Sequence, residues 1–239
     1  MTWFSNFLNK KELAPVVPII KVVEPQPLVE LEEELFQRLK HGDLAHQDWL
    51  KEELRRWAKG EKPQGPLTEN RDPIQDIHQL LVLFADFFVG VRETPSNKGP
   101  EVEMFQRVIG AADGAPWCMS AVQWIVLRVS RRYNLIHNLY PSERCLTVWQ
   151  QTKEIYKFNS PSVGSVVIWR HGNTSDGHAG IVKAISTDNK IVTLEGNTSA
   201  GPGFVTNGDG YYEKVRSLNG DGDLKILGFI KPFGGSRLV

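Results

Sequence analysis

The chain has 239 residues, which is enough for one sizeable domain or for a domain with an appendage. It carries 28 Lys and Arg against 28 Asp and Glu, so its formal net charge is zero and no overall field favours binding to nucleic acid or to an anionic membrane. The hydrophobic share of 41% is ordinary for a globular protein, and no apolar run approaches the roughly 20 residues that would span a bilayer.

The first 26 residues are predicted to form an arm. Its apolar side chains fit one helical turn: Trp3, Phe4, Phe7 and Leu8. The proline-rich segment that follows cannot continue a helix. We expect the arm to pack on its own domain or on a partner, with membrane contact as an alternative that lacks the usual basic face. Residues 13–20 contain two prolines and no small-residue cleavage site, so we expect synthesis in the cytoplasm without a signal peptide.

A helical hairpin is predicted over residues 27–60. Leucines recur at helical spacing from Leu28 to Leu39, and Asp43 is suited to cap a second helix that ends at Gly60. This hairpin is too small to bury a core of its own, so we expect it to dock on another surface. Three prolines within residues 61–73 indicate a linker to a main domain over residues 74–239.

The main domain changes in character along the chain. A broad apolar helical face runs from Ile77 to Phe88, a second helix begins at Cys118, and a third is predicted near residues 146–157. Short β-rich segments separated by Gly, Asn and Asp turns follow at residues 165–169, 179–186, 190–194, 211–215 and 226–230. Helices followed by a run of antiparallel strands predict an α+β fold.

Cys118 and Cys145 are the two cysteines of the chain, too few for a disulfide framework, so two free thiols are expected. Cys145 lies in a predicted helix, and we interpret it as a buried structural thiol. Cys118 follows Pro116 at the start of an amphipathic helix. The positive end of a helix dipole lowers the pKa of a thiol placed there, so Cys118 is a candidate nucleophile.

A nucleophilic thiolate needs a base and a group that orients the base, and His178, Glu195 and Asn197 are candidates. A two- or four-residue loop centred on residues 188–189 would join the strand of His178 to the strand of Glu195 and Asn197. It would pair Val182 with Glu195. Side chains alternate along a strand, so this register places the histidine and both partners on one face of the sheet. A three- or five-residue loop would place them on opposite faces.

These residue types suit acyl transfer. Cys118 would attack an amide carbonyl as a thiolate, and His178 would form an ion pair with it and later protonate the leaving amine. Glu195 or Asn197 would hold the imidazole in position. The backbone N–H of Cys118, at the helix start, is a natural donor to the oxyanion.

Several motifs in this order resemble the CHAP family, which belongs to the papain-like NlpC/P60 superfamily of peptidoglycan amidases and endopeptidases. The motifs are Gly-Val-Arg-Glu at 90–93, Asn-Lys-Gly-Pro at 97–100, Pro-Trp-Cys at 116–118, Gly-Ser-Val-Val at 164–167, Gly-His-Ala-Gly at 177–180, Glu-Gly-Asn at 195–197 and Leu-Gly-Phe-Ile at 227–230. The resemblance covers about residues 74–239. It implies a papain-like fold, with the nucleophile on a helix and the histidine on a central antiparallel sheet.

The resemblance also implies the roles of individual residues and the substrate. Cys118 matches the nucleophile, His178 the base, and Glu195 and Asn197 the acidic and amide positions. The substrate implied is an amide bond of peptidoglycan, reached after release of a phage endolysin through a holin. Two alternatives remain open: a secreted antibacterial toxin with an immunity protein as partner, and a wall-binding phage protein without catalytic activity.

No cofactor or metal is predicted. Some family members bind calcium, but no matching acidic cluster precedes Cys118. Residues 219–223 have the oxygen spacing of a calcium loop yet lack its later glycine and glutamate, so a hairpin turn is expected there. His171 and His178 lack the second half of a zinc pattern, and no phosphate loop or nucleic-acid motif is present.

Overall fold

The computed structural model describes residues 73–94, 97–201 and 208–234. The predicted arm, the predicted hairpin and, apart from Pro73, the predicted linker lie outside the described residues. Their boundaries therefore stay predictions. None of the helices in the described ranges is long and apolar enough to cross a membrane.

Within the described residues, four α-helices precede the sheet. They are α1 (Pro73–Asp86), α2 (Pro100–Arg107), α3 (Cys118–Arg132) and α4 (Cys145–Gln151), and a 3₁₀ turn follows at Glu154–Tyr156. The sequence analysis missed α2, although Pro100 at its first position, acidic residues in its first turn and Arg107 in its last turn are ordinary helix signals. The helix predicted near residues 146–157 ends earlier, because Thr152 is already extended.

The six strands found in the described ranges form one antiparallel sheet in the order β1-β6-β2-β3-β4-β5. They are β1 (Lys157–Phe158), β2 (Val166–His171), β3 (Gly177–Ile185), β4 (Lys190–Thr198), β5 (Gly210–Ser217) and β6 (Leu224–Ile230). Every strand predicted from the alternating segments is present, and among these six the two-residue β1 was missed. The predicted α+β class is confirmed.

The main core lies between the helices and the sheet. Helix α3 packs against α1 and α2 and against β3 and β4. Its contacts include a cluster of buried aromatic rings formed by Phe84, Phe88, Phe105, Trp124 and Tyr211. A separate apolar cluster contains Val167, Trp169 and Phe229. Because α3 is held by two helices and two strands, its first residue has a fixed position relative to the sheet.

The β3–β4 hairpin differs from its predicted register. Its loop has three residues, since the Ser186 N–H donates to the Lys190 carbonyl. Val182 therefore pairs with Thr193, and the expected pairing with Glu195 was wrong. An irregularity between Val182 and Ala184 shifts the register by one residue. This shift returns Glu195 to the face of the sheet that was predicted for it. The two departures offset each other, so Glu195 lies beside Gly180, where a Cβ atom would stand 2.8 Å from the glutamate Cγ.

Candidate functional site

Cys118 is the first residue of α3 and is 5% exposed. The preceding residue, Trp117, is fully buried and stacks on Phe105 with ring centroids 5.8 Å apart. Its indole N–H donates to a carboxylate oxygen of Glu93 at 2.8 Å. These contacts, on one face and at the edge of the ring, hold the start of the helix in place, and with it the thiol.

The loop before Trp117 is braced by two amide side chains. Asn97 donates to the Gly114 carbonyl at 3.1 Å, and Gln106 donates to the Ala115 carbonyl at 2.7 Å. Asn97 belongs to a motif noted in the sequence, whereas Gln106, fully buried on α2, was missed. A buried polar side chain that donates to backbone carbonyls replaces the hydrogen bonds with water that these carbonyls give up on burial. The motifs upstream of the thiol thus support its loop.

His178 and Glu195 are joined across β3 and β4. The His178 Nε2–H donates to Glu195 Oε2 at 2.8 Å, and both side chains are buried. Trp169, the partner of His178 across β2 and β3, holds its ring 5.6 Å from the imidazole. The same imidazole is hydrogen-bonded to Cys118, and Nδ1 is the ring nitrogen that the glutamate does not occupy. The structure therefore brings together three of the four residues singled out from the sequence.

Glu195 is itself held by Arg216, which the sequence analysis missed. The guanidinium donates to both carboxylate oxygens, at 2.9 Å and 2.6 Å, and the hydroxyl of Thr193 donates to one of them at 2.5 Å. Arg216 is fully buried and its remaining arm donates to Asp221 at 2.6 Å. A forked pair of this kind fixes the plane of the carboxylate as well as its charge.

Asp221 lies in the segment that has the oxygen spacing of a calcium loop. That segment is a turn between β5 and β6, with Gly220 at φ 103° and a short bridge from Asp221 to Leu224. The Asp221 carboxylate bonds to Arg216. Its charge therefore supports the ion pair behind Glu195.

The neighbouring charges set the protonation states of the site. Burial alone would raise the pKa of Glu195, but the hydrogen bonds from Arg216 and His178 lower it to about 2. Burial alone would lower the pKa of His178, but its bonds to Cys118 and Glu195 raise it to about 9. The hydrogen bond with Cys145, and after it the contact with His178, brings the pKa of Cys118 well below its ordinary value despite burial. These shifts in pKa favour a thiolate on Cys118 beside an imidazolium on His178 over two neutral groups.

Cys145, the first residue of α4, is the other immediate neighbour of Cys118. The two sulfur atoms are 3.7 Å apart, both thiols are free, and both are buried. The expectation of a buried free thiol agrees with this placement. The sequence analysis did not predict its contact with Cys118, which lies 27 residues earlier in the chain.

Asn197 is 6% exposed and adopts a left-handed backbone conformation, with φ at 53°. It lies where the pairing of β4 with β5 is irregular, between Glu195 and Thr198. Its side-chain oxygen is buried and accepts no hydrogen bond from the part of the chain that the structure describes. Asn197 is thus close to Glu195 along the strand, and its role as an orienting amide stays a prediction.

Gly196 is required by the close approach of Trp117. A Cβ atom at this position would lie 2.5 Å from the indole ring, so we expect Gly196→Ala to displace the ring or the strand. Overpacking of this kind costs about 1–3 kcal/mol of unfolding free energy, which urea denaturation would measure. Gly201→Ala is the matched control, because Gly201 is exposed and a Cβ atom there meets nothing within 4 Å. Equal stability of the two variants would contradict this packing.

Comparison with known proteins identifies part of the chain. Residues 110–197 match the family model described as CHAP domain. This range includes Cys118, His178 and Glu195 and ends at Asn197. The CHAP family belongs to the papain-like NlpC/P60 superfamily of peptidoglycan hydrolases, and the observed α+β architecture is consistent with that fold. Searches of curated proteins and of solved structures gave no match.

Proposed function

We propose, from the match of residues 110–197 to the CHAP domain model, that the protein hydrolyses an amide bond of peptidoglycan with Cys118 as the nucleophile. The observation that carries this proposal is the buried chain of contacts from Cys118 through His178 to Glu195. It supplies a nucleophile, a base and a group that orients the base, which is the set that acyl transfer needs.

The reaction would proceed in two steps. The Cys118 thiolate attacks the carbonyl carbon of the amide, and the His178 imidazolium gives its proton to the departing amine, which leaves a thioester on the sulfur. Neutral His178 then takes a proton from water as that water attacks the thioester. The carboxylic acid product departs and Cys118 leaves as a thiolate. The backbone N–H of Cys118 has no acceptor within its own helix, so it is placed to stabilise the oxyanion of each intermediate.

Glu195 and Arg216 would act as positioning residues. The carboxylate fixes the imidazole through Nε2 and balances the positive charge of the imidazolium. The guanidinium keeps that carboxylate ionised, with a pKa of about 2, so it does not take the imidazole proton. The histidine thus keeps its proton for the leaving amine.

A protein that only binds the cell wall is disfavoured by this arrangement. Four charged groups on Cys118, His178, Glu195 and Arg216 are buried together, and burial of charges carries a large desolvation cost. Binding requires none of these groups. Perturbed titratable groups that lie in contact are more typical of catalytic sites.

We further propose a biological setting for this activity. A phage endolysin released by a holin fits a domain that acts on peptidoglycan, and the alternative is a delivered toxin with an immunity protein. The genes beside this one separate the two settings. A neighbouring holin gene would support the endolysin, and a neighbouring immunity gene would support the toxin.

Digestion of purified sacculi tests the proposed activity. We expect the protein to release soluble fragments. Mass spectrometry of their new termini distinguishes cleavage between N-acetylmuramic acid and L-Ala from cleavage within the stem or cross-bridge peptide. Cys118→Ser, which replaces the thiolate by a weaker nucleophile, is the control for contaminating hydrolases. If sacculi with several kinds of stem peptide and cross-bridge yield no fragments, peptidoglycan hydrolysis is the wrong function.

A further inference from the structure

The second thiol of the site, Cys145, contacts the sulfur on which the proposed reaction depends. Its Sγ lies 3.7 Å from Cys118 Sγ, within hydrogen-bonding distance for two sulfur atoms. Both side chains are 5% exposed, so little water competes for the contact. A buried thiol that serves only for packing needs no such partner.

The close approach depends on a glycine. A Cβ atom at Gly177 would lie 3.0 Å from Cys145 Cβ and 2.7 Å from the Trp169 carbonyl oxygen. Because Gly177 has no side chain, the first turn of α4 can lie directly against β3, one residue before His178. Gly177, the residue before His178, thus allows Cys145 to lie next to the site.

Either sulfur atom could be the donor in this contact, but the two thiols have different neighbours, and these favour one direction of the hydrogen bond. Cys118 is also in contact with His178 and with the Met119 N–H, and each of these favours its ionised form. Cys145 has less support: its hydrogen bond with Cys118 and its burial raise its pKa well above the ordinary value, against the smaller effect of a hydrogen bond from its own backbone N–H. These neighbours favour the negative charge on Cys118 and the proton on Cys145.

We propose that Cys145 is a further catalytic residue, whose S–H donates a hydrogen bond to the Cys118 thiolate and aims that thiolate for attack. This inference rests on the proposed role of Cys118 as the nucleophile. Cys145 undergoes no change of bonding during turnover. Its hydrogen bond weakens as the charge passes from sulfur to the carbonyl oxygen, and it forms again when Cys118 leaves the thioester as a thiolate.

Alkylation of Cys118 by iodoacetamide as a function of pH tests the inference without any peptidoglycan. Peptide mass spectrometry assigns the modified cysteine in the full chain. We expect Cys145→Ala to raise the midpoint pH of Cys118 alkylation by about one unit, a tenfold change in its ionisation. Cys145→Ser keeps a donor of similar size, so its midpoint should stay near that of the wild type.

The outcomes separate a catalytic thiol from a structural one. If a folded Cys145→Ala variant keeps the wild-type midpoint, or if Cys145→Ser shifts as far as Cys145→Ala, the proposed hydrogen bond is wrong. A midpoint that depends on Cys145 in a protein that releases nothing from sacculi would support the hydrogen bond and overturn the proposed function instead.

A second measurement does not rely on the folding of Cys145 variants. The S–H stretching band of Cys145 in the Raman spectrum should lie at a lower frequency in the wild type than in Cys118→Ala, because that substitution removes the acceptor. An unchanged band would overturn the inference.

Discussion

Cys118→Ala should lower the rate of peptidoglycan hydrolysis by about 10⁴-fold or more, to the level of the background. The reason is that the substitution removes the thiolate that lies beside His178 at the start of α3. The change removes only one sulfur atom, and the packing around it is otherwise intact. The variant should therefore remain folded. Release of soluble fragments from sacculi would measure the loss, and circular dichroism would check the fold.

Ser120→Ala is the matched control for this experiment. Ser120 lies in the same first turn of α3, is fully buried, and its hydroxyl has no hydrogen-bond partner in the described part of the chain. Its loss should leave the activity near the wild-type level. Wild-type activity in Cys118→Ala would exclude Cys118 as the nucleophile.

Arg216→Met should lower the unfolding free energy by about 3–5 kcal/mol, because it leaves the buried Glu195 carboxylate without its main counter-charge. The pKa of Glu195 should then rise from about 2, since burial is no longer offset by the guanidinium. Urea denaturation at neutral pH would measure the loss of stability.

The double variant Arg216→Met with Glu195→Gln separates charge from packing. A neutral amide needs no counter-charge, so the double variant should regain a large part of the stability that Arg216→Met loses. It should stay poorly active, because an amide does not balance the charge of the imidazolium. An Arg216→Met variant within about 1 kcal/mol of the wild type would contradict a structural role for this ion pair.

The fold was largely predictable because its elements carry local signals. The apolar face from Ile77 to Phe88 and the alternating segments after Pro161 identify α1 and five of the six strands. The register of the β3–β4 hairpin was not predictable, since it depends on a three-residue loop and on an irregularity near Lys183. Bulges of this kind are set by contacts across the sheet, and single-sequence patterns do not show them.

Part of the site could be predicted from the residue types and from their order along the chain. Cys118, His178 and Glu195 could be found because their residue types and element types suit one reaction. Arg216 and Cys145 were missed, because neither belongs to a sequence motif that suits the reaction, and their contacts with Glu195 and Cys118 arise only from the fold. The sequence of β5 favours the opposite arrangement, because an ordinary strand would bury Val215 and expose Lys214 and Arg216. In the structure Lys214 and Arg216 face inward and Val215 is 62% exposed.

The pH dependence of peptidoglycan cleavage tests the thiolate–imidazolium pair most directly. The reactive form requires Cys118 without its proton and His178 with one, so activity should be present well below pH 9 and fall as the pH rises through about 9. The initial rate on a low concentration of soluble peptidoglycan fragments would be measured between about pH 5 and pH 10, where Glu195 stays ionised and continues to stabilise the fold. A rate that keeps increasing through pH 9, as an unperturbed thiol would give, would contradict the account.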